Sequence, residues 1–281
     1  MVNHVKKPDW LKIDFRSNDQ FAHVNQILKD HDLHTICTSG RCPNMTECWS
    51  RGTATFMILG EICTRSCKFC NTQTGHPLPP NPNEPQQLAE SIKLMNLKHA
   101  VVTAVTRDDL PDQGAAHWAA CILAIKKENP EITIEVLIPD FQGNTSLIDQ
   151  IIAQKPNIIS HNIETVERLT PEVRSAAKYN LSLQVLKYIA DSGIPAKSGF
   201  MLGLGETEAE ILHTMDDLRT VGTSVLTLGQ YLQPSRKHLP VSDYIHPDKF
   251  AEYKEKGLAK GFRIVESGPL VRSSYHAERH V

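Results

Sequence analysis

From Thr53 onward the chain alternates between short apolar, β-branched runs and longer amphipathic stretches. The runs predict strands over Ala54–Leu59, Ala100–Thr106, Thr133–Ile138, Ile158–Asn162, Ala196–Leu202 and Val225–Gln230. Between them, apolar positions at helical spacing predict helices at about Glu84–Met95, Ala115–Lys127, Ser146–Ala153, Pro171–Asp191, Glu208–Val221 and Pro247–Lys260. Thr207 and Glu210 form a capping-box pair that starts one of them. Strands alternating with helices imply an α/β fold with a parallel sheet and right-handed crossovers. Six such units are too few for a closed eight-fold barrel. A partial (β/α)6 barrel of the TIM type and an open doubly wound sheet both fit. In either, the loops at the C-terminal strand ends carry the chemistry. Before Thr53 the pattern is mixed, with a helix predicted over Phe21–Lys29 and then a cysteine-bearing loop. The organisation reads as an N-terminal extension (1–52), the α/β body (53–262) and a C-terminal segment (263–281), packed as one unit. The proline-rich HPLPPNPNEP (His76–Pro85) is a connector within the body.

Composition narrows the class. A chain of 281 residues, 40% of them hydrophobic, can bury a sizeable core. The 30 Lys+Arg are balanced by 32 Asp+Glu, which gives no basic excess for nucleic acid or an anionic membrane. MVNHVKKPDWLKIDF has no apolar run after its lysines, and no stretch approaches the roughly 18 apolar residues of a membrane span. The expectation is a cytoplasmic protein with no nucleic-acid or membrane partner. In a reducing cytosol, cysteines at short spacings are metal ligands rather than disulfides.

Six of the seven cysteines form two triplets, Cys37-x4-Cys42-x5-Cys48 and Cys63-x3-Cys67-x2-Cys70. A closed zinc site takes four ligands, and so does a plain electron-transfer cluster. Three thiolates on a four-iron cubane leave one iron open to a substrate. The second triplet directly follows the first predicted strand, in ATFMILGEICTRSCKFC, and so sits at a strand C-terminus. Cys121, in AAHWAACILAIKK, reads as a small core residue on a helix.

The Cys-x3-Cys-x2-Cys spacing, with Phe69 before its last cysteine, resembles the radical S-adenosylmethionine superfamily. Longer runs narrow the resemblance to the lipoyl synthase family: CPNMTECWSRGTATFMILGEICTRSCKFC, TRDDLPDQGA (Thr106–Ala115), SHNIETV (Ser160–Val166), GQYLQPSRKHLPV (Gly229–Val241) and VRSSYHA (Val271–Ala277). It implies the partial barrel and two [4Fe–4S] clusters, one held by Cys63, Cys67 and Cys70 and open to S-adenosylmethionine. The other, an auxiliary cluster, is held by Cys37, Cys42, Cys48 and Ser274. Read from its residues alone, RSSY is a turn whose hydroxyls cap backbone groups; the resemblance makes Ser274 a ligand harder than thiolate, suited to a labile iron. It further implies sulfur insertion at C6 and C8 of an octanoyl-lysine. The partners implied are octanoylated lipoyl carrier domains (the glycine cleavage H protein and 2-oxoacid dehydrogenase E2 subunits), an electron donor and iron–sulfur assembly factors.

Strand-end geometry and this resemblance make Thr106, Arg107 and Asp108 candidate cofactor contacts, with polar helix capping as the alternative. Asn162 and Glu164 suit ribose hydroxyls or the amino-acid part of the cofactor. Gly203 and Gly205 would let the backbone approach adenine, or simply form a turn. Gln230, Tyr231, Arg236, His238 and Arg272 are candidates for the substrate side. Two positions depart from the family pattern: Thr46 and Gln113 stand where glycine is common. Three other readings compete: a related sulfur-inserting or methylthiolating enzyme, an iron–sulfur carrier and a zinc-bound interaction module.

Overall fold

Burial on both faces marks the central strands, as a parallel sheet covered by helices requires. All six residues of β2 (Thr53–Ile58) are buried, as are all six of β9 (Val225–Gln230). The computed structural model describes residues 6–12, 22, 26–28, 34–39, 42–51, 53–174 and 176–281. The chain divides into two compact units. One comprises Phe15–Arg65, Thr72–Ile159 and His276–Val281; the other comprises Met1–Asp14, Ser66–Asn71 and Ser160–Tyr275.

In the first unit, β2 runs parallel to β5 (His99–Ala104), from Thr53 opposite His99 to Ile58 opposite Ala104. β5 is parallel in turn to β6 (Thr133–Leu137). A two-residue strand, β1 (His34–Thr35), lies antiparallel on β2. Two short helices, α1 (Ile36–Ser39) and α2 (Met45–Ser50), carry Cys37 and Cys48, with Cys42 between them. A two-residue ribbon, β3 (Ile62–Cys63) with β4 (Gln73–Thr74), frames the start of the second. Helices α3 (Glu84–Leu94), α4 (Ala115–Glu128) and α5 (Thr145–Ile152) follow the strands. On α4 the buried residues Ala115, Trp118, Cys121, Ile122 and Ile125 form one stripe at helical spacing, with Cys121 inside it as the sequence suggests. The chain leaves this unit within β7 (Ile158–Ser160).

In the second unit, β8 (Ala196–Leu202), β9 and β10 (Ile264–Gly268) are parallel neighbours. Helices α6 (Thr170–Val173), α7 (Tyr179–Asp191), α8 (Glu208–Thr220) and α9 (Pro247–Ala259) connect and cover them. Their core joins Leu186, Phe200, Met215, Leu228, Phe250 and Val265.

The expected α/β architecture is present: all six expected strands form, and the sheet is mostly parallel. The Thr207–Glu210 capping box is complete in both directions. Three elements differ. The helix expected over Pro171–Asp191 breaks after Val173, because Arg174 leaves helical geometry. Its buried guanidinium donates to the Ile163 carbonyl (3.1 Å) and the Ser182 hydroxyl (2.9 Å). β10 was not expected, since Glu266 and Ser267 interrupt its apolar pattern. β1 is too short to leave a pattern. Most of the helix expected over Phe21–Lys29 lies outside the described residues; Gln26–Leu28 are helical.

Gln113, one of the departures from the family pattern, has φ +50°, and Gly114 follows at +86°. Left-handed backbone costs an L-residue with a side chain roughly 1–2 kcal/mol, part of which glycine returns as chain entropy. The Gln113 side chain adds only a long bond to the Phe141 carbonyl (3.4 Å), and its own oxygen is buried without a partner. Gln113→Gly is therefore expected to stabilise the protein by about 0.5–1 kcal/mol, read as a raised urea midpoint with unchanged slope.

Candidate functional site

The loop bearing the second triplet begins where β2 ends. Leu59 (φ +67°) and Gly60 (φ +93°) turn the chain sharply out of the strand. Leu59 N–H is held by the Glu84 carboxylate (2.9 Å), which also accepts from His117 (2.6 Å). Glu84, His117 and Cys121 bring potential ligand atoms within 4.8 Å of one another. The carboxylate oxygen of this group is already spent on two donors, so the trio acts as a staple from α3 and α4 to the end of β2.

Cys63 Sγ lies 3.4 Å from two backbone N–H groups, those of Arg65 and Thr106. Such N–H···S contacts stabilise charge on a ligating sulfur. Loop and strand end are joined along their length: Thr64 N–H and hydroxyl both donate to the Thr106 carbonyl (3.1 and 2.9 Å), and Asp108 N–H donates to the Thr64 hydroxyl (3.1 Å). The Arg65 guanidinium, 8% exposed, spans two carboxylates. It meets Asp108 at 2.7 and 2.8 Å and Asp140 at 2.8 and 2.9 Å. Burial raises the Asp108 pKa, but the Arg65 hydrogen bonds outweigh it and hold the carboxyl below its ordinary value. Arg107, by contrast, is almost fully buried and committed to Asp109 and to the Leu59 carbonyl.

Cys67 and Cys70 belong to the second unit. Their peptide is held by Lys68 N–H on the Val173 carbonyl (3.1 Å) and Leu239 N–H on the Lys68 carbonyl (3.3 Å). His238 Nε2 donates to the Cys70 carbonyl (3.0 Å), and its Nδ1 accepts from Ser235 (2.9 Å). His238 thus braces the cysteine loop, a role its position in the sequence did not reveal. In the same unit Asn162 Oδ1 is buried without a hydrogen-bond partner. Burial pushes the Glu164 pKa up, with Arg174 and Asn162 opposing the rise. Glu164 sits at φ +67° and bridges its backbone to Phe200 of β8. Gly203 and Gly205 both have φ +101°. The Glu206 carboxylate caps the N–H groups of Gly203 and Leu204, a contact the sequence did not suggest.

Of the substrate-side candidates, Gln230 and Tyr231 are buried and satisfied by backbone. Gln230 bonds the Asp243 carbonyl and the Ile245 N–H, and Tyr231 Oη donates to the Leu239 carbonyl (2.8 Å). Arg236 is exposed. Arg272 donates to the Val271 carbonyl (2.6 Å), and a turn from the Arg272 carbonyl to Tyr275 N–H (2.9 Å) encloses Ser273 and Ser274.

The first triplet gathers in the first unit. Burial, then the charge of Cys42, pushes the Cys37 thiol up to about 12. Burial, then Cys42, Cys37, Glu47 and Glu278, pushes the Cys48 thiol up further. Burial and neighbouring thiol and carboxyl groups oppose ionisation here, and a polycationic iron core would reverse that. The donor set therefore fits a soft metal cluster. Glu278 accepts from Thr53 (3.2 Å), and His276 approaches Glu47 (3.4 Å), so the segment after RSSY lies against this triplet. In metal-free protein at pH 8, burial keeps Cys37 far less ionised than an ordinary cysteine. Mass-spectrometric mapping of iodoacetamide labelling is expected to find it unmodified while an added thiol peptide reacts fully.

A model of the radical SAM superfamily matches residues 57–218. The solved structure of methylornithine synthase shares this fold at 12% identity, with a TM-score of 0.58 over 90% of this chain and 79% of that one. Fold and cysteine loop thus define a radical S-adenosylmethionine enzyme. The curated lipoyl synthase of Parabacteroides distasonis is 63% identical over 281 residues, covering 100% of both chains. That of Phocaeicola vulgatus is 64% identical over 280 residues, covering 100% of this chain and 99% of the other. The chain belongs to the lipoyl synthase family. Membership removes the carrier and zinc-module readings. Among the described residues, no helix is long and apolar enough to cross a membrane.

Proposed function

We propose that this enzyme inserts two sulfur atoms, at C6 and C8, into an octanoyl chain amide-linked to a lysine of a lipoyl carrier domain, in the cytoplasm. The observation that carries this reading is full-length identity of 63% to a lipoyl synthase, with both cysteine triplets intact. When bound, a [4Fe–4S] cluster with S-adenosylmethionine supplies the 5′-deoxyadenosyl radical, and a second cluster supplies sulfur. Cys63, Cys67 and Cys70 hold the first; Cys37, Cys42 and Cys48 hold the second, with Ser274 as its fourth ligand. The Ser274 assignment is supported by its place two positions before His276, which reaches Glu47 beside Cys48.

The remaining residues bind, brace and exclude water. Asn162 Oδ1 is a buried acceptor suited to the ammonium or a ribose hydroxyl of S-adenosylmethionine, and Glu164 lies beside it. Gly205 keeps its backbone open to the adenine, whereas the space beside Gly203 is filled by Gln230 and the Asp243 carbonyl. Thr106 and Asp108 serve the cofactor through the Cys63 loop, and Arg107 props the turn at Leu59. Gln230, Tyr231 and His238 shape the substrate side, where Arg236 and Arg272 contact the carrier or its arm. A closed pocket matters because a primary carbon radical abstracts hydrogen from any nearby C–H or S–H group. The carriers served are the glycine cleavage H protein and 2-oxoacid dehydrogenase E2 domains, with a separate electron donor and iron–sulfur assembly factors.

The deciding assay incubates anaerobically reconstituted protein with reductant, S-adenosylmethionine and an octanoyl-lysine peptide. A peptide gaining two sulfurs as the dithiol, in step with 5′-deoxyadenosine, is the expected product. Abundant 5′-deoxyadenosine beside an unchanged peptide would retain the radical chemistry and reject the substrate.

A further inference from the structure

We propose that Arg65 is a positioning residue for the radical cluster: its two-carboxylate clamp fixes the backbone N–H groups that face Cys63 Sγ and so sets the cluster's reduction potential. The inference rests on the assignment of the second triplet to a [4Fe–4S] cluster.

Arg65 lies between the first two cysteines of that triplet, and its two ends do different things. Its backbone N–H faces Cys63 Sγ at 3.4 Å. Its side chain makes four hydrogen bonds to Asp108, beyond β5, and Asp140, beyond β6. Asp140 is 2% exposed and is itself fixed by Gln142 N–H at 3.0 Å. The planar fork of arginine meets two carboxylates at once, which the single ammonium of lysine cannot reproduce. The second donor to the sulfur, Thr106 N–H, belongs to the same strand end as Asp108. The clamp therefore acts on both N–H···S contacts, together with the bonds from Thr64 to the Thr106 carbonyl. Hydrogen bonds to ligating sulfurs stabilise the more negative, reduced cluster and raise its potential. Without the guanidinium, two neighbouring carboxylates are left uncompensated, and the loop loses its tie to the ends of β5 and β6.

The test uses full-length protein carrying Cys37→Ala, Cys42→Ala and Cys48→Ala, so that only the second triplet holds a cluster. EPR-monitored redox titration gives the midpoint potential, and a chelator gives the rate of iron loss, for Arg65, Arg65→Lys and Arg65→Ala. The expected result is a more negative midpoint and several-fold faster iron loss in Arg65→Ala, with Arg65→Lys between the two. An Arg65→Ala protein that melts earlier yet keeps the parent midpoint and chelation rate has lost stability alone and overturns the proposal. If Arg65→Ala does not fold, Arg65→Lys decides: a parent-like midpoint and chelation rate overturn the proposal, and a negative shift with faster loss supports it. A parent protein that binds no cluster removes the assignment beneath it, a result distinct from a bound cluster indifferent to Arg65.

Discussion

Cys67→Ala is expected to reduce 5′-deoxyadenosine formation to background, whereas Cys42→Ala leaves it intact and abolishes sulfur insertion. The two thiols stand in separate frames. Cys67 lies in a loop held by Val173 and Leu239, and on the proposed assignment its loss leaves the cofactor-binding cluster with two protein ligands. Cys42 lies near thiols whose pKa values rise first through burial and then through its proximity, and its removal takes one ligand from the proposed second donor set. The measurement is anaerobic turnover with octanoyl peptide, in which 5′-deoxyadenosine and sulfurated peptide are counted together. Equal loss of 5′-deoxyadenosine in both variants would contradict the division of labour.

Gly229→Ala is expected to uncouple the two products more subtly. A methyl group at Gly229 would overlap the Val271 carbonyl oxygen, where the RSSY segment crosses β9. Backbone cannot yield as a flexible side chain can, so the cost is about 1–3 kcal/mol of stability, and the displaced segment carries Ser274. Sulfur insertion should fall at least tenfold relative to 5′-deoxyadenosine, with a lowered urea midpoint. A variant that loses stability but keeps the product ratio would detach Ser274 from sulfur transfer.

Both of these sites were visible in the sequence to very different depths. The cysteine spacings and the strand before Cys63 are local features, and periodicity places that triplet at a strand end unaided. The six strands were legible because each is a continuous apolar run in a sheet covered on both faces. What remained hidden is non-local. Asp140 reaches Arg65 across 75 positions, His238 reaches Cys70 across 168, and neither leaves a mark in its own neighbourhood. Gln230 and Tyr231 look like substrate contacts because polar and aromatic residues at strand ends often are. Only the fold shows their polar atoms bonded to backbone. Arg174 likewise defeats helical periodicity, because its guanidinium finds better partners outside the helix. Gln113 was recognisable as a departure, but its left-handed backbone was not.

The contacts of Glu278 and His276 bear on when each site can mature. Thr53 and Glu278 are 225 positions apart, and Glu47 and His276 are 229 apart. At typical rates of synthesis, roughly ten to fifty seconds separate the emergence of such residues from the ribosome. The frame of Cys63 closes far sooner, since Thr106 follows it by 43 positions and Asp140 follows Arg65 by 75. The nascent chain thus completes the setting of Cys63 while the first triplet still waits for its last neighbours. The neighbours of Cys37, Cys42 and Cys48 are complete only once residues 276–278 have been made, long after those of Cys63.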